Sequence, residues 1–274
     1  MLTGLPLAQP SGSESNGDAK MHYSTHQEIG DRNTQQDRLC VHRIGPFLLA
    51  AVFDGHGGEQ AAEFASTQFP ICLSDDLHEL DAKPALKNAI SHLVDALKDE
   101  YSGTTLTAAL IDEAGARVTL AVLGDSPALV FQPDSDTPYC PPQHNLSLCP
   151  NDAEAIRALG LGRISEGYIW DHSGDRGVNL TRALGDAAFR DLLIRDPHIT
   201  TLPFPSGSLL LIGSDGVRLN RHSEDYAERL WTGYRTAARL ARSGATACEL
   251  VAALKAQAQP GEPLDNVTAI AINA

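Results

Sequence analysis

The stretch FLLAAVFDGHGG, residues 47–58, joins seven apolar residues to an aspartate, a histidine and three glycines. An unbroken apolar run of this length predicts a strand buried on both faces, and Asp54 then lies where that strand reaches the surface. Apolar runs flanked by an aspartate recur at residues 209–215 and 265–272. Because carboxylates at strand ends can converge, and a glycine lets a backbone carbonyl approach a cation, the sequence predicts a metal site on a β-scaffold.

Composition and charge indicate which partners the protein is expected to lack. The chain has 274 residues and 21 Lys plus Arg against 35 Asp plus Glu, a formal net charge of −14 that would repel a polyanion. We therefore expect no nucleic-acid partner. The sequence contains no apolar run near the roughly 18 residues of a membrane span, no basic signal-peptide start and no Cys-x-x-Cys pair among its five cysteines. A cytoplasmic protein without membrane contact is expected.

Turn residues and apolar periodicity predict an α+β domain. Strands are expected at 106–111, 117–123 and 127–131, connected as an antiparallel meander. Because aspartate motifs come from both halves of the chain, we expect one domain, residues 22–274, after a flexible polar tail of residues 1–21. Helices are expected at 59–69, 84–97, 151–159 with an Asn151/Glu154 capping box, 222–242, and after a Thr246/Glu249 cap.

Seven short motifs occur in a fixed order along most of the chain. They are EIGDR with QD (28–37), DGHGG (54–58), GTT (103–105), GDS (124–126), LTRALGD (180–186), SDG (214–216) and DNVT (265–268). In this order the chain resembles the type 2C metal-dependent serine/threonine protein phosphatases, the PPM family. The resemblance implies a four-layer α-β-β-α sandwich, in which two mainly antiparallel sheets are flanked by helix pairs, and a flap segment at 139–177.

The resemblance implies two bound Mn²⁺ or Mg²⁺ ions, with a weaker third. Asp54 would bridge the two ions, the carbonyl of Gly55 would bind one, and Asp215 and Asp265 would hold the other. Asp125 would allow the third ion. Asp37 would order water around the ions. Taken singly, each of these aspartates could instead be a turn or cap residue.

Arg32 and His56 carry the remaining implied roles. The guanidinium of Arg32 would bind the substrate phosphate through its planar set of donors, although an ion pair with Asp31 or Asp37 is the alternative. His56 would be the general acid for the leaving alkoxide, but a loop histidine can also be a bystander or support a metal ligand.

Other residues of the motifs are expected to support the site. Arg182 and Asp186 would stabilise its wall. The sequence also departs from the family pattern, because Gln35 and Gln36 stand where relatives commonly have asparagine and glutamate, and Pro127 replaces an arginine. These changes affect the expected metal affinity and substrate choice more than the expected chemistry.

The combined expectation is a phosphoprotein phosphatase that hydrolyses phosphoserine and phosphothreonine esters by direct attack of a water activated by two metal ions. Its partners would be phosphoprotein substrates and a cognate protein kinase in signalling, and it would act as a monomer. The alternative is a catalytically weak regulatory relative that binds a phosphoprotein or a kinase. A metal-dependent nuclease is disfavoured by the acidic charge.

Overall fold

The computed structural model describes residues 21–135, 137–217, 236, 239–240, 242–256 and 264–274. Residues 1–20 of the expected tail, and most of the helix expected at 222–242, lie outside these described residues.

Strands dominate the described chain. They are β1 (His22–Glu28), β2 (Arg38–Ile44), β3 (Phe47–Phe53), β4 (Gly55–His56), β5 (Gly103–Thr104), β6 (Leu106–Asp112), β7 (Arg117–Leu123), β8 (Ala128–Phe131), β9 (Arg163–Ser165), β10 (Tyr168–Trp170), β11 (Gly177–Val178), β12 (Leu184–Gly185), β13 (His198–Pro203), β14 (Leu209–Gly213) and β15 (Val267–Asn273). The described α-helices are α1 (Gln60–Asp76), α2 (Ala82–Ala96), α3 (Pro150–Leu159) and α4 (Ala247–Lys255).

Two antiparallel sheets pack face to face. One has the strand order β13-β7-β6-β3-β2, and the other has the order β1-β15-β14-β8. Alternate residues of β3 explain its unbroken apolar run, because Leu48 and Val52 face the second sheet while Leu49 and Phe53 face α1 and α2. The helix α4 covers the outer face of the second sheet. The α+β fold with antiparallel sheets between helices is therefore confirmed, and the described layers follow the expected order.

The expected meander is wrong in its third strand. β6 and β7 form an antiparallel hairpin, but β8 leaves that sheet and pairs with β14 in the other one. In this position Ala128 and Val130 face the core between the sheets, whereas Leu129 and Phe131 face α4. The apolar pattern of β8 shows that both faces of the strand are buried, but it does not show which of the two sheets the strand joins.

Two helix boundaries also differ from expectation. α1 continues beyond residue 69 through Pro70, because Phe69, Pro70 and Leu73 are all buried on its inner face. Asn151 and Glu154 do not form a capping box, since Pro150 occupies the first turn and the helix begins there. In contrast, Gly160 ends α3 in the left-handed conformation as expected, with φ 65°.

The cap expected before α4 is confirmed. The Thr246 hydroxyl accepts a hydrogen bond from the Glu249 N–H, and the Glu249 carboxylate accepts one from the Thr246 N–H at 2.8 Å. The five cysteines all lie in the described part of the chain, and none of them forms a disulfide bond. Among the described residues, no helix has both the length and the apolar character that crossing a membrane would require.

The segment expected to be a flap carries its own small structure. It contains α3, β9 and β10, and β11 begins at its last residue. Ile156 and Ile169 share an apolar cluster with Leu180, Phe189 and Leu192 from the chain that follows. Arg182 joins this segment to the rest of the chain by two bonds to the carboxylate of Asp152 in α3, at 2.7 and 2.8 Å. Burial raises the pKa of Asp152, but the bonds and charge of Arg182 outweigh burial, and the pKa is lowered.

The Arg182–Asp152 pair should matter far more for stability than a surface pair. Arg182→Ala leaves the buried Asp152 carboxylate without its cation, so we expect a loss of about 3 kcal/mol in the free energy of unfolding, measured by urea denaturation. The matched control is Arg190→Ala, which breaks the exposed pair with Asp99 and should cost less than about 1 kcal/mol. Equal losses in the two variants would contradict this role of Arg182.

Candidate metal centre

The predicted aspartates lie at one edge of the two sheets. Asp54 directly follows β3, Asp215 opens the single-turn helix Asp215–Val217 after β14, and Asp265 lies two residues before the start of β15. Because β14 and β15 are antiparallel neighbours, the end of one and the start of the other lie side by side. Strands from both sheets therefore deliver carboxylates to the same place.

Asp54 and Asp215 contact each other directly. The backbone N–H of Asp215 donates to Asp54 Oδ2 at 3.0 Å, across 161 residues of sequence. Thr105 holds the Asp54 backbone from the other side, because its hydroxyl accepts from the Asp54 N–H and its N–H donates to the Asp54 carbonyl. The end of β3 is therefore fixed in front of the turn that follows β14.

Asn266 fixes the loop that carries Arg32 and Asp37. Its side-chain amide donates to the carbonyls of Ile29 and Thr34 at 2.9 and 3.0 Å, and its side-chain oxygen accepts from the N–H of Gln36 at 2.8 Å. One amide thus satisfies three backbone groups of a loop without regular secondary structure. The DNVT motif consequently positions the first motif of the chain as well as its own aspartate.

The site concentrates negative charge without enough compensation. Asp37 is buried, and its Oδ2 has no hydrogen-bond partner among the described residues. Burial first, and then the charges of Asp215 and Asp265, raise the pKa of Asp37 to about 6, although bonds from Ser214 and Thr268 oppose this. Burial and the charges of Asp215, Asp37 and Asp125 raise the pKa of Asp54 well above its usual value. Carboxylate oxygens are the type of donor that a hard divalent cation prefers.

Asp125, the residue expected to allow a third ion, is also buried. Its Oδ2 accepts a hydrogen bond from the side-chain amide of Asn145 at 2.9 Å. Its charge contributes to the raised pKa of Asp54, so it belongs to the same acidic cluster. Its expected role at a third ion stays a prediction.

Asp265 and Arg32 are paired with each other. Arg32 Nη2 lies 2.8 Å from Asp265 Oδ2, and this partner is neither Asp31 nor Asp37. Among the described residues, no three Asp, Glu, His or Cys side chains are grouped to hold one ion. The direct contact is between Asp54 and Asp215, and Asp37 is near enough for its charge to act on Asp54. Asp265 is paired with Arg32 instead.

Gly55 is required for a reason that the sequence did not reveal. A Cβ at this position would lie 2.4 Å from the carbonyl oxygen of Gln36, so only glycine lets the loop of the first motif pass so close to β4. The short sheet β12-β5-β4 holds the Gly55 backbone in place. Its expected role as a carbonyl ligand stays a prediction.

His56 is paired with Asp186, a residue that the motifs predicted only as a support for the wall of the site. Its Nε2 lies 2.8 Å from Oδ2 of Asp186, whose side chain is wholly buried. Burial lowers the pKa of His56, but the charge of Asp186 and its hydrogen bond outweigh burial, and the pKa is raised. The LTRALGD motif marks Asp186 as part of the site, but no feature of the sequence identifies its partner.

Arg176, from the expected flap, was not identified from the sequence. It donates to the Tyr101 carbonyl at 3.2 Å, and its Nη2 lies 3.0 Å from where a Cβ on Gly57 would be. A cleft of about 390 Å³ also separates this flap from the chain that follows Asp186. It is lined by Asp99, Tyr101, Asp171, His172, Ser173, Ala187, Ala188 and Arg190.

Solved structures with this fold include the serine-threonine phosphatase 2C from Toxoplasma gondii. That structure matches with a TM-score of 0.71 at 18% identity, covering 94% of this chain and 96% of the other. A structure described as a Caenorhabditis elegans sex determining protein also has a TM-score of 0.71, at 23% identity over 94% of this chain and 66% of that one. At these identities the likeness establishes the fold alone.

Sequence comparisons agree with the motifs. The protein phosphatase fem-2 of Caenorhabditis elegans is 27% identical over 220 residues, which is 72% of this chain and 47% of that protein. The chain spans about half the length of the curated relatives it matches. A sequence model of the family described as Protein phosphatase 2C matches residues 20–218, nearly three quarters of the chain. The chain therefore belongs to the protein phosphatase 2C family, as its motifs and its fold indicated.

Proposed function

We propose that this protein hydrolyses phosphoserine and phosphothreonine esters of phosphoproteins with the help of two Mn²⁺ or Mg²⁺ ions. The observation that carries the proposal is the contact between the Asp215 N–H and the Asp54 carboxylate, with the buried and partly unsatisfied Asp37 beside them. Packing of the fold alone gives no reason to bury three like charges, from different segments of the chain, in one place. A cation is the simplest compensation.

The residues proposed to hold the ions are those that the motifs imply. Asp54 and the Gly55 carbonyl would bind one ion, Asp54 with Asp215 and Asp265 the other, and Asp37 would orient water nearby. Asp125 would join a weaker third site. When bound, the ions would supply an activated water and would neutralise charge on the transferred phosphoryl group.

The chain's own residues would perform the remaining tasks. Arg32, which is 59% exposed, would bind two oxygens of the substrate phosphate and orient phosphorus toward the acidic cluster. The oxygen of water would bond to phosphorus while the bond from phosphorus to the serine or threonine oxygen breaks. The leaving oxygen would take a proton from His56, and the proton of the water would pass to solvent, which later reprotonates His56.

The cleft beside Asp186 offers room for the peptide that carries the phosphate. Its walls come from the expected flap and from the segments around Tyr101 and Ala187, and Ala187 follows Asp186, the partner of His56. Five cysteines without a disulfide bond favour a reducing compartment, and we propose a cytoplasmic monomer that opposes a protein kinase. Residues 22–274 would form its single catalytic domain, with 139–177 as the flap.

The pairing of Arg32 with Asp265 favours one alternative. If that pair persists in solution, both the phosphate-binding residue and a metal ligand are occupied. The protein would then be a catalytically weak relative that binds a phosphoprotein or a kinase. The same assay separates the two functions.

Purified protein should release phosphate from a phosphothreonine peptide in the presence of Mn²⁺ and should stop when the metal is chelated. Asp215→Asn should lower turnover by more than about 100-fold, because it removes a carboxylate from the proposed metal site. Phosphate release gives the activity, and far-ultraviolet circular dichroism checks that the variant folds.

The matched control for this variant is Asp95→Asn, which removes the same charge from an exposed position on α2 and should keep wild-type turnover. Full activity of Asp215→Asn would refute the ligand assignment. A folded wild-type protein that releases no phosphate with Mn²⁺ present would support the regulatory alternative.

In the metal-free protein, repulsion among the buried carboxylates should lower the free energy of unfolding. A carboxyl group whose pKa is higher in the folded than in the unfolded chain stabilises the fold at low pH, where it is protonated. The free energy of unfolding should therefore fall as the pH rises from about 4, the pKa of such a group in the unfolded chain, through about 6, the pKa of Asp37 in the folded protein. At pH 7.5, Asp54→Asn should therefore raise the Tm of the metal-free protein, by about 2–4 °C for each kcal/mol of repulsion removed.

The same variant should abolish the rise in Tm that Mn²⁺ gives the wild type, because a bound ligand stabilises the folded state only where its site exists. Differential scanning calorimetry at pH 7.5 and 4.5, with and without Mn²⁺, measures both effects. At pH 4.5 the wild type and Asp54→Asn should differ less. A metal-free Asp54→Asn protein that is less stable than wild type at pH 7.5 would show that the carboxylate is not under strain.

A further inference from the structure

His56 and Asp186 form a hydrogen-bonded pair. Nε2 of His56 lies 2.8 Å from Oδ2 of Asp186, and the Asp186 side chain is wholly buried while that of His56 is 28% exposed. The two residues are 130 positions apart in sequence. His56 lies in β4 and Asp186 directly follows β12, and these are the two outer strands of the sheet β12-β5-β4. The central strand β5 separates them and sets their distance.

The residue at the centre of that sheet has to be glycine. A Cβ on Gly103 would lie 2.2 Å from His56 Nε2 and 2.3 Å from Asp186 Oδ2. Any larger residue would displace one member of the pair. The GTT motif thus has a role that its strand position alone did not indicate.

The backbone of Asp186 adopts an unusual conformation to make the contact. Its φ of 55° lies in the left-handed region, which is rare for residues other than glycine, and its N–H donates to the Ser102 carbonyl at 3.0 Å. Its second carboxylate oxygen, Oδ1, is buried without a hydrogen-bond partner among the described residues. Both features cost stability, and such costs are typical of functional positions.

We propose that Asp186 is a positioning residue for His56: it accepts the hydrogen bond of Nε2–H and so leaves Nδ1 as the ring nitrogen that serves the leaving oxygen of the substrate. The proposal rests on the proposed function. Among the described residues, the hydrogen bond of the His56 ring runs from Nε2 to Asp186. A buried carboxylate that accepts from one imidazole nitrogen fixes both the tautomer and the orientation of the ring. Such an arrangement helps most where the leaving group is poor.

The test compares two leaving groups. The serine or threonine alkoxide needs a proton as it leaves, whereas p-nitrophenolate leaves with little assistance. Asp186→Asn should therefore lower kcat on a phosphothreonine peptide by about 10- to 100-fold, part of the roughly 10²–10⁴ that a positioned acid supplies. On p-nitrophenyl phosphate the loss should be at most about threefold. Asp191→Asn, an exposed aspartate five residues later, is the matched control and should keep wild-type kcat on both substrates.

A double-mutant cycle identifies the residue through which Asp186 acts. His56→Gln alone should show the same selective loss, and adding Asp186→Asn to it should cost little more, because residues that act as one unit are not additive. Equal losses on both substrates, or additive effects in the double variant, would overturn the proposal. Should Asp186→Asn fail to fold, Asp186→Ser removes the carboxylate with less bulk and takes its place.

A spectroscopic measurement tests the pair without turnover. In metal-free protein with ¹⁵N-labelled histidine, the neutral His56 ring should carry its proton on Nε2, with its signals assigned by their loss in His56→Gln. Asp186→Asn should shift this tautomer preference, and an unchanged spectrum would overturn the proposal. A wild-type protein inactive on both substrates would refute the proposed function and the catalytic purpose of the pair, whereas the spectrum would still show whether Asp186 sets the ring.

Discussion

The repulsion between buried carboxylates at one edge of the two sheets is the constraint on which the rest of the structure depends. Asp37 and Asp54 lose hydration on burial and also face the charge of Asp215, which is why the pKa of each carboxyl is raised. The fold has to hold these groups together although they repel. It does so with neutral donors: the Asp215 N–H bonds Asp54, and the Asn266 amide fixes the loop that carries Asp37.

That arrangement requires both sheets and both ends of the chain. β3 belongs to one sheet and β14 and β15 to the other, so Asp54 can meet Asp215 only when the two sheets are packed. Asn266 then ties the loop after β1 to the start of β15, across 230 or more residues of sequence. Because no segment can form the acidic cluster alone, the site is a product of the complete sandwich.

The elements that sequence predicted well are those whose burial leaves a pattern. β3 and β7 have the expected bounds because every residue of a strand buried on both faces must be apolar, or nearly so. Pairing leaves no such pattern, since it depends on tertiary packing. The sheet that β8 joins, the partner of Arg32 and the contact between His56 and Asp186 could therefore not be predicted, although the motifs marked most of these residues.

The Arg32–Asp265 pair need not prevent the proposed chemistry. The Arg32 side chain is 59% exposed, and an exposed ion pair contributes only about 0–1 kcal/mol in water. A divalent cation at a cluster of carboxylates gains much more by comparison, because it relieves the repulsion among all of them at once. Under the proposed function, an ion held by Asp265 would replace Arg32 at that carboxylate, and the Arg32 guanidinium would then be available to bind a phosphate. The ion pair is thus compatible with a resting form of a site that metal binding completes.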